Sequence, residues 1–272
     1  ISKESYFPTP KGWVKVPELI KKYNWQTDTK SNKIIASKLD AYKIRASLDT
    51  EKKTQQADTH ESLDFTPKSL PPCQPGKQKH PLRRYQEFGW QWLWWLYENK
   101  LHGLLADEMG LGKTHQAMAL LESIQVTSHN TKKIPPVFLV IAPTTVLDHW
   151  VDKLKAFHPN LNPEKHHGAG RQLPDLENPK KTRTLVTSYG ILLKDIQKLE
   201  KTPWSCVVID EAHLIKNHKT QIFQAVCLLR SRMRLGLTGT PMENHLGELK
   251  NIFDFILPGY LGTHREFRQK IA

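Results

Sequence analysis

The chain has 272 residues, 38% of them hydrophobic and 25% charged, enough for one sizeable core or one core plus a smaller module. Its 40 Lys and Arg against 27 Asp and Glu leave a formal charge of +13, which points to a polyanionic partner. No apolar run approaches the roughly 20 residues that cross a bilayer, so no membrane partner is expected, and the first residues carry no secretory signal. Cys73, Cys206 and Cys227 are scattered, with no CxxC pair, which fits a reducing compartment and argues against a disulfide scaffold or thiolate zinc site. The chain begins without Met and a motif-like segment reaches its last residue, so a piece of a longer protein is expected.

Residues 1–48 read as a small accessory region. Gly12 to Pro17 looks like a short strand and turn, and Glu18 to Tyr23 and Asn32 to Ser47 have weak helical patterns. Residues 49–80 are polar and dotted with Pro67, Pro71, Pro72 and Pro75, which reads as a linker. From Pro81 the pattern changes. A helix over about 82–99 precedes a short apolar strand, Gly103 to Ala106, a glycine-rich turn and a helix to about Val126. Val137 to Ala142 is continuously apolar, as for a strand buried on both faces. A helix striped with Val146, Trp150, Leu154 and Phe157 follows. Thr184 to Thr187, Cys206 to Ile209 and Arg234 to Leu237 read as strands, and 191–199, the stretch around Ile222, Val226 and Leu229, and 246–256 as helices. This alternation predicts an α/β fold, a mainly parallel sheet covered by helices on both faces, with ligands at the carboxyl ends of the strands.

Three segments at strand ends carry chemistry. Asp107-Glu108-Met109-Gly110-Leu111-Gly112-Lys113-Thr114 ends as a phosphate-binding loop does, although Asp107 stands where the strict pattern has Gly. Glycines let backbone N–H groups curl around phosphate oxygens, and the following helix points its positive end at them. In such a loop Lys113 reaches the β- and γ-phosphates of ATP and Thr114 ligates Mg2+. About 100 residues later the apolar run Val207-Val208-Ile209 ends in Asp210-Glu211-Ala212-His213. Asp210 suits Mg2+, and Glu211 suits orienting or deprotonating the attacking water. Third, Leu237-Thr238-Gly239-Thr240-Pro241 is a hydroxyl-rich turn that could sense the γ-phosphate, a weak signal alone because turns favour these residues.

Together these segments resemble motifs I, II and III of superfamily-two helicases, and specifically the SWI/SNF-like remodelling ATPases. The Asp107 variant of the loop is similar to that family's motif I. Ile215-Lys216-Asn217, Glu243-Asn244, Leu246-Gly247-Glu248-Leu249, Phe253-Asp254-Phe255 and Pro258-Gly259 are family-like continuations. Leu82-Arg83-Arg84-Tyr85-Gln86 resembles the adenine-reading segment, with Gln86 as the base contact. Ala142-Pro143-Thr144-Thr145-Val146-Leu147 with Trp150 resembles motif Ia, and Val186-Thr187-Ser188-Tyr189 motif Ib; both would face the DNA backbone. The resemblance spans about 81–272 and implies a RecA-like first ATP-binding lobe of a DEAH-box motor. It implies ATP and Mg2+ as cofactors, duplex DNA as partner, a nucleoprotein substrate and a second lobe in the same chain. It implies a cytoplasmic enzyme, nucleoid-associated if bacterial and nuclear if eukaryotic; the motif III style looks bacterial. His213, Thr238, Gly239, Thr240, Pro143, Thr144, Ser188 and Tyr189 are the expected coupling or DNA-facing residues.

Other features are set aside. Tyr85, Phe88, Trp92, Trp95 and Leu96 form a helical stripe that should be core, with Trp90, Trp94 and Tyr97 on the other side. Arg230, Arg232 and Arg234 read as a solvated helix end, and Lys180, Lys181 and Arg183 as a loop before a strand. His158, His166 and His167 lack metal-ligand spacing. Two rival functions stay open: a strand-separating RNA or DNA helicase of the same superfamily, and a non-catalytic, ATP-gated binding module.

Overall fold

A computed structural model of the chain describes residues 81–131, 134–176, 179–242 and 246–271, together with the backbone of four short strands near its start. The chain divides into two units, Ile1–Asp64 and Phe65–Ala272. In the first, β1 (Tyr6–Thr9) pairs antiparallel with β2 (Gly12–Lys15), and β3 (Gln26–Asp28) with β4 (Lys33–Ile35). The strand at Lys33–Ile35 replaces the start of the helix expected from Asn32. Two adjacent β-branched residues, Ile34 and Ile35, favour the extended pairing. The remainder of that expected helix, the one at 18–23, the linker and Cys73 lie outside the described residues.

The second unit is built around a six-stranded, wholly parallel sheet: β5 (Gly103–Leu105), β6 (Val137–Ala142), β7 (Pro163–His166), β8 (Arg183–Ser188), β9 (Cys206–Asp210) and β10 (Arg234–Leu237). Their spatial order is β5-β10-β9-β6-β8-β7. The helices are α1 (Arg84–Glu98), α2 (Lys113–Asn130), α3 (Leu147–Phe157), α4 (Tyr189–Leu199), α5 (Gln221–Leu228), α6 (Leu246–Ile256) and α7 (His264–Ile271). The period of two in the central strands sorts their side chains into two cores. Phe138, Val140, Ala142, Cys206, Val208, Leu235 and Leu237 pack with α1, α2 and α3. Val137, Leu139, Ile141, Val207 and Ile209 pack with α4, α5 and α6. All six residues of β6 are buried, so its run of apolar residues is the direct consequence of helices on both faces.

The connections set where a crevice opens. From β6 the chain leaves through α3 on the first face towards β7; from β9 it leaves through α5 on the second face towards β10. Neighbouring strands that send their chains to opposite sides leave a gap at their carboxyl ends, the usual ligand position in such sheets.

Helix α1 turns a different face inward from the one its stripe suggested. Trp90, Leu93, Trp94, Leu96 and Tyr97 are buried, whereas Tyr85 is 40% and Phe88 61% exposed. Trp92 and Trp95 are half-buried against the same core. Aromatic residues occur nearly all round this helix, so hydrophobicity leaves its phase open. Contact with α2 sets it, including the Trp90 Nε1 hydrogen bond to Ser123 Oγ at 3.0 Å. Strand β7 and helix α7 go beyond the elements that the sequence pattern predicts. Pro163-Glu164-Lys165-His166 is an edge strand with polar side chains and no apolar pattern to mark it.

Several of the set-aside polar groups have structural partners. His158 faces Glu122 at 3.0 Å and His166 faces Asp195 at 2.8 Å. Arg171 donates to both Asp195 oxygens, and with His166 it holds that carboxyl down at about 2. Arg183 pairs with Glu164. Arg234 is no solvated helix end: its guanidinium donates to the carbonyls of Phe255, Cys227 and Leu229 and lies over the Phe255 ring. Its backbone N–H donates to His102 Nδ1 at 3.1 Å, a contact that requires neutral imidazole there. Burial first, then the Arg234 charge, lowers the His102 pKa to about 4. A folded-state pKa below the unfolded value means stability is full above roughly pH 6.5 and falls as pH drops towards 4. Replacing His102 with Gln should therefore remove up to roughly 3 kcal/mol of the stability change between pH 7 and 4. Urea melts of both proteins at those pH values test this; parallel pH profiles would refute it.

Candidate functional site

The glycine-rich loop leaves β5 and runs into α2. Gly110 and Gly112 both have positive φ, 84° and 77°, conformations that cost a side-chain-bearing residue about 1 kcal/mol or more. At Gly112 there is also no room: a Cβ would lie 2.3 Å from Gln86 Nε2. Gln86, 9% exposed, uses its amide to join α1 to the loop. Its Nε2 donates to the Leu111 carbonyl at 3.1 Å and its Oε1 accepts from Arg83 N at 2.9 Å. Lys113 is the first residue of α2, and its ammonium donates back to the carbonyls of Asp107 and Glu108 at 2.8 and 2.9 Å. Thr114, half-buried, lies beside it.

Asp107, the departure from the strict loop pattern, has a job that spacing could not reveal. Its Oδ2 accepts from Gln116 Nε2 at 3.0 Å, and Gln116 is fully buried. The loop's first residue is thus tied to the helix that ends it. Gly89 on α1 makes space for that amide, since a Cβ there would fall 1.8 Å from Gln116 Oε1.

The acidic pair ends β9, two places from β5 in the sheet. Among the described residues, each Asp210 carboxylate oxygen accepts from one donor: Trp150 Nε1 to Oδ2 at 2.7 Å and Glu211 N to Oδ1 at 3.1 Å. The Tyr189 hydroxyl donates to the Asp210 carbonyl at 2.5 Å. Burial, then the charges of Asp210 and Glu211, push the Tyr189 pKa well up, which keeps that proton in place. Glu211 has φ 54°, an uncommon and strained conformation for a residue with a side chain, and its carboxylate meets His213 Nδ1 at 3.1 Å.

Both halves line one cleft of about 610 Å3, whose walls include Gln86, Lys113, Thr114, Trp150, Asp210 and Glu211. Two grooves of about 810 Å3 each open beside residues that precede the strands. Neither is lined by any residue of the loop or the acidic pair. The cleft fits a magnesium-bound nucleotide. It pairs an ammonium and a left-handed backbone curl with a carboxylate and a hydroxyl, hard oxygen donors of the kind Mg2+ prefers. A Cβ at Gly110 would meet nothing, so the loop's mouth is open.

The third segment meets the first. Thr238 N donates to the Leu105 carbonyl at 3.1 Å, and a Cβ at Gly239 would be 2.6 Å from Met109 Cγ and 3.7 Å from Lys113 Nζ. Thr238 is fully buried with Oγ1 accepting from Thr240 N, while Thr240 is exposed. Among the residues expected to face DNA, Thr144 is exposed and Pro143 half-buried. Ser188 and Tyr189 do not face outward. Ser188 is 4% exposed and caps α4 by accepting from Ile191 N, and Tyr189 is 6% exposed and bound to the Asp210 backbone. Trp150, 1% exposed, likewise points to Asp210 instead of the surface. The stripe that marked Trp150 as apolar core carried no sign of its indole N–H. Glu243 and Asn244 lie outside the described residues, but two other continuation segments touch. Lys216 Nζ meets Glu248 at 3.3 Å, and Asn251 Nδ2 donates to the Lys216 carbonyl at 2.5 Å.

A fold with a phosphate loop and an acidic pair at one sheet edge defines a P-loop-type lobe, and comparison with known proteins narrows the class. Residues 85–272 match the SNF2-related domain, and the chain belongs to that family. It is 38% identical over 202 residues to "TATA-binding protein-associated factor mot1" of Schizosaccharomyces pombe, which covers 70% of this chain and 10% of that protein. It is 37% identical over 214 residues to "ISWI chromatin-remodeling complex ATPase ISW2" of Saccharomyces cerevisiae, covering 77% and 18%. A solved structure, "Sulfolobus solfataricus SWI2/SNF2 ATPase core in complex with dsDNA", matches with TM-score 0.64 and 36% identity over 74% of this chain and 41% of that one. The chain thus spans a tenth to a fifth of these curated relatives' lengths. Relatives of similar identity come from fungi, a plant, human and the bacterium Bacillus subtilis, so the similarity does not decide the bacterial origin expected from the motif III style. Among the described residues, no helix is long and apolar enough to cross a membrane.

Trp150→Phe deletes the donor to Asp210 together with part of the buried indole, so a double-mutant cycle with Asp210→Ala is needed to isolate the contact from the packing loss. A hydrogen bond to a charged group contributes about 1.5–3 kcal/mol, and a coupling of that size is expected in chemical denaturation. A coupling below about 0.5 kcal/mol would show that the indole merely fills space.

Proposed function

We propose that this chain is the first ATP-binding lobe of a DNA-dependent ATPase that translocates on duplex DNA and remodels protein–DNA complexes. The observation that carries the reading is the single cleft into which Lys113, Thr114, Asp210 and Glu211 all open. In it Lys113 exchanges its two loop carbonyls for nucleotide phosphate oxygens, and the N–H groups around Gly110 and Gly112 hold the same phosphates. Gln86 reads the base. Thr114 and Asp210 hold Mg2+, which when bound neutralises phosphate charge. Trp150 and Glu211 N fix the Asp210 carboxylate so that its remaining lone pairs are presented without reorganisation. Glu211 takes the proton of the attacking water, and His213 steers its carboxylate. Thr238, Gly239 and Thr240, touching both β5 and the Lys113 loop, relay the state of the phosphates, and Pro143 and Thr144 lie nearest the DNA backbone.

Residues 1–48 are read as an accessory region and 49–80 as its linker, with 81–272 as the lobe. A second lobe of the longer protein completes hydrolysis, and the protein works where DNA is kept, nucleoid or nucleus. Duplex DNA is favoured over RNA because the matched archaeal core was solved with dsDNA, and remodelling because a relative is named as a chromatin-remodelling ATPase.

In the full-length protein, Lys113→Ala and Glu211→Gln should each lower duplex-stimulated ATP turnover at least a hundredfold, the scale at which catalytic groups act. Turnover assays with duplex DNA, single-stranded DNA and single-stranded RNA decide the partner. Stronger stimulation by RNA, with strand separation, would replace translocation by helicase action. Full cellular activity of the Glu211→Gln protein would instead leave a binding module. The chain by itself should turn ATP over slowly, and robust DNA-stimulated turnover by it would contradict the need for a second lobe.

A further inference from the structure

Helix α3 reaches the nucleotide cleft with Val146 just before it and His149, Trp150 and Lys153 along it, the i, i+3, i+4, i+7 spacing of one helical face. Val146 is apolar and Trp150 is committed to Asp210. Lys153 is different. It is half-buried, and burial alone lowers its pKa. Among the described residues no hydrogen bond or ion pair engages its ammonium, whereas Lys165, Lys216 and Lys250 each face a carboxylate. The cleft's other central charges are engaged, Lys113 by carbonyls and Asp210 by Trp150, and Glu211 lies beside His213. Arg83 and His115 add further positive or protonatable groups to the same walls, and Asp210 and Glu211 are the only carboxylates among the lining residues. A partly desolvated cation without a counter-charge is unfavourable until an anion arrives, and a charge-assisted hydrogen bond then forms at full strength.

We propose that Lys153 is a second phosphate-binding cation of this cleft, gripping the di- or triphosphate from α3 while Lys113 grips it from α2. Lys153 thereby makes the lobe discriminate phosphorylated nucleotides from the bare nucleoside. This rests on the nucleotide-binding reading above.

The test is competition by ATP, ADP and adenosine against a fluorescent ADP analogue bound to the full-length protein, at two salt concentrations. Lys153→Met keeps the aliphatic stem and removes the charge. It should weaken ADP and ATP about tenfold, the scale of one charge-assisted hydrogen bond, leave adenosine unchanged and flatten the salt dependence. Lys155→Met, exposed on the same helix, should change none of these. Thermal melting of the ligand-free protein should stay level or rise with Lys153→Met, because an unpaired half-buried charge is removed while the aliphatic stem is kept, and a fall would instead assign Lys153 a packing role. Equal effects on ADP and adenosine, or no effect on either, would overturn the proposal while leaving the nucleotide site standing. Failure of the unaltered protein to bind any of the three would remove both.

Discussion

Asp210 sits at the last position of a strand that is otherwise sealed between two helical layers, and a carboxylate there has to be held by something. The Trp150 indole at 2.7 Å and the Glu211 amide at 3.1 Å do so, one per oxygen, with the Tyr189 hydroxyl fixing the backbone just behind. Each donor comes from a different part of the sheet's edge: α3 after β6, the turn after β9 itself, and the start of α4 after β8. The acid is therefore a keystone on which three strand ends converge. Its geometry is set before any ligand arrives, the condition under which electrostatic stabilisation is most effective.

The loop half of the cleft follows the same logic with different chemistry. Asp107 is locked to buried Gln116, Gln86 to the Leu111 carbonyl, and Gly239 packs on Met109. The phosphate loop is thus braced from α1, α2 and the turn after β10. The turn after β10 touches the loop that carries Lys113, so a shift in one is felt by the other. The Lys216–Glu248 and Asn251 contacts extend this chain of touching groups from the acidic turn to α6.

The charge of the chain divides by role. Arg234, Arg183 and Arg171 are spent on backbone carbonyls and carboxylates inside the unit, although a reading of net charge counts them towards a polyanion. Lys153 stands apart as a desolvated cation facing the cleft. Counting basic residues therefore overstates the charge free to meet a polyanion and hides a lysine that, among the described residues, lines the cleft without a counter-charge.

By itself the sequence determined five of the six strands of the parallel sheet and their order in the chain, because short continuous apolar runs such as Val137–Ala142 and Cys206–Ile209, bounded by turns and alternating with helical patterns, fit strands buried on both faces. It also determined the loop and acidic pair, because glycines with a Lys-Thr end and an Asp-Glu pair after a buried strand have few other uses. Tertiary structure decided what local pattern leaves degenerate. The phase of α1 came from its contact with α2, since Trp and Tyr lie on every side of it. The polar edge strand β7 exists because β8 offers it unpaired backbone groups. Tyr189 and Trp150 turn inward, and each finds a hydrogen-bond acceptor at Asp210, distant in the chain. Periodicity reports which face is apolar. It carries no information about which distant polar atom a buried N–H or O–H will meet.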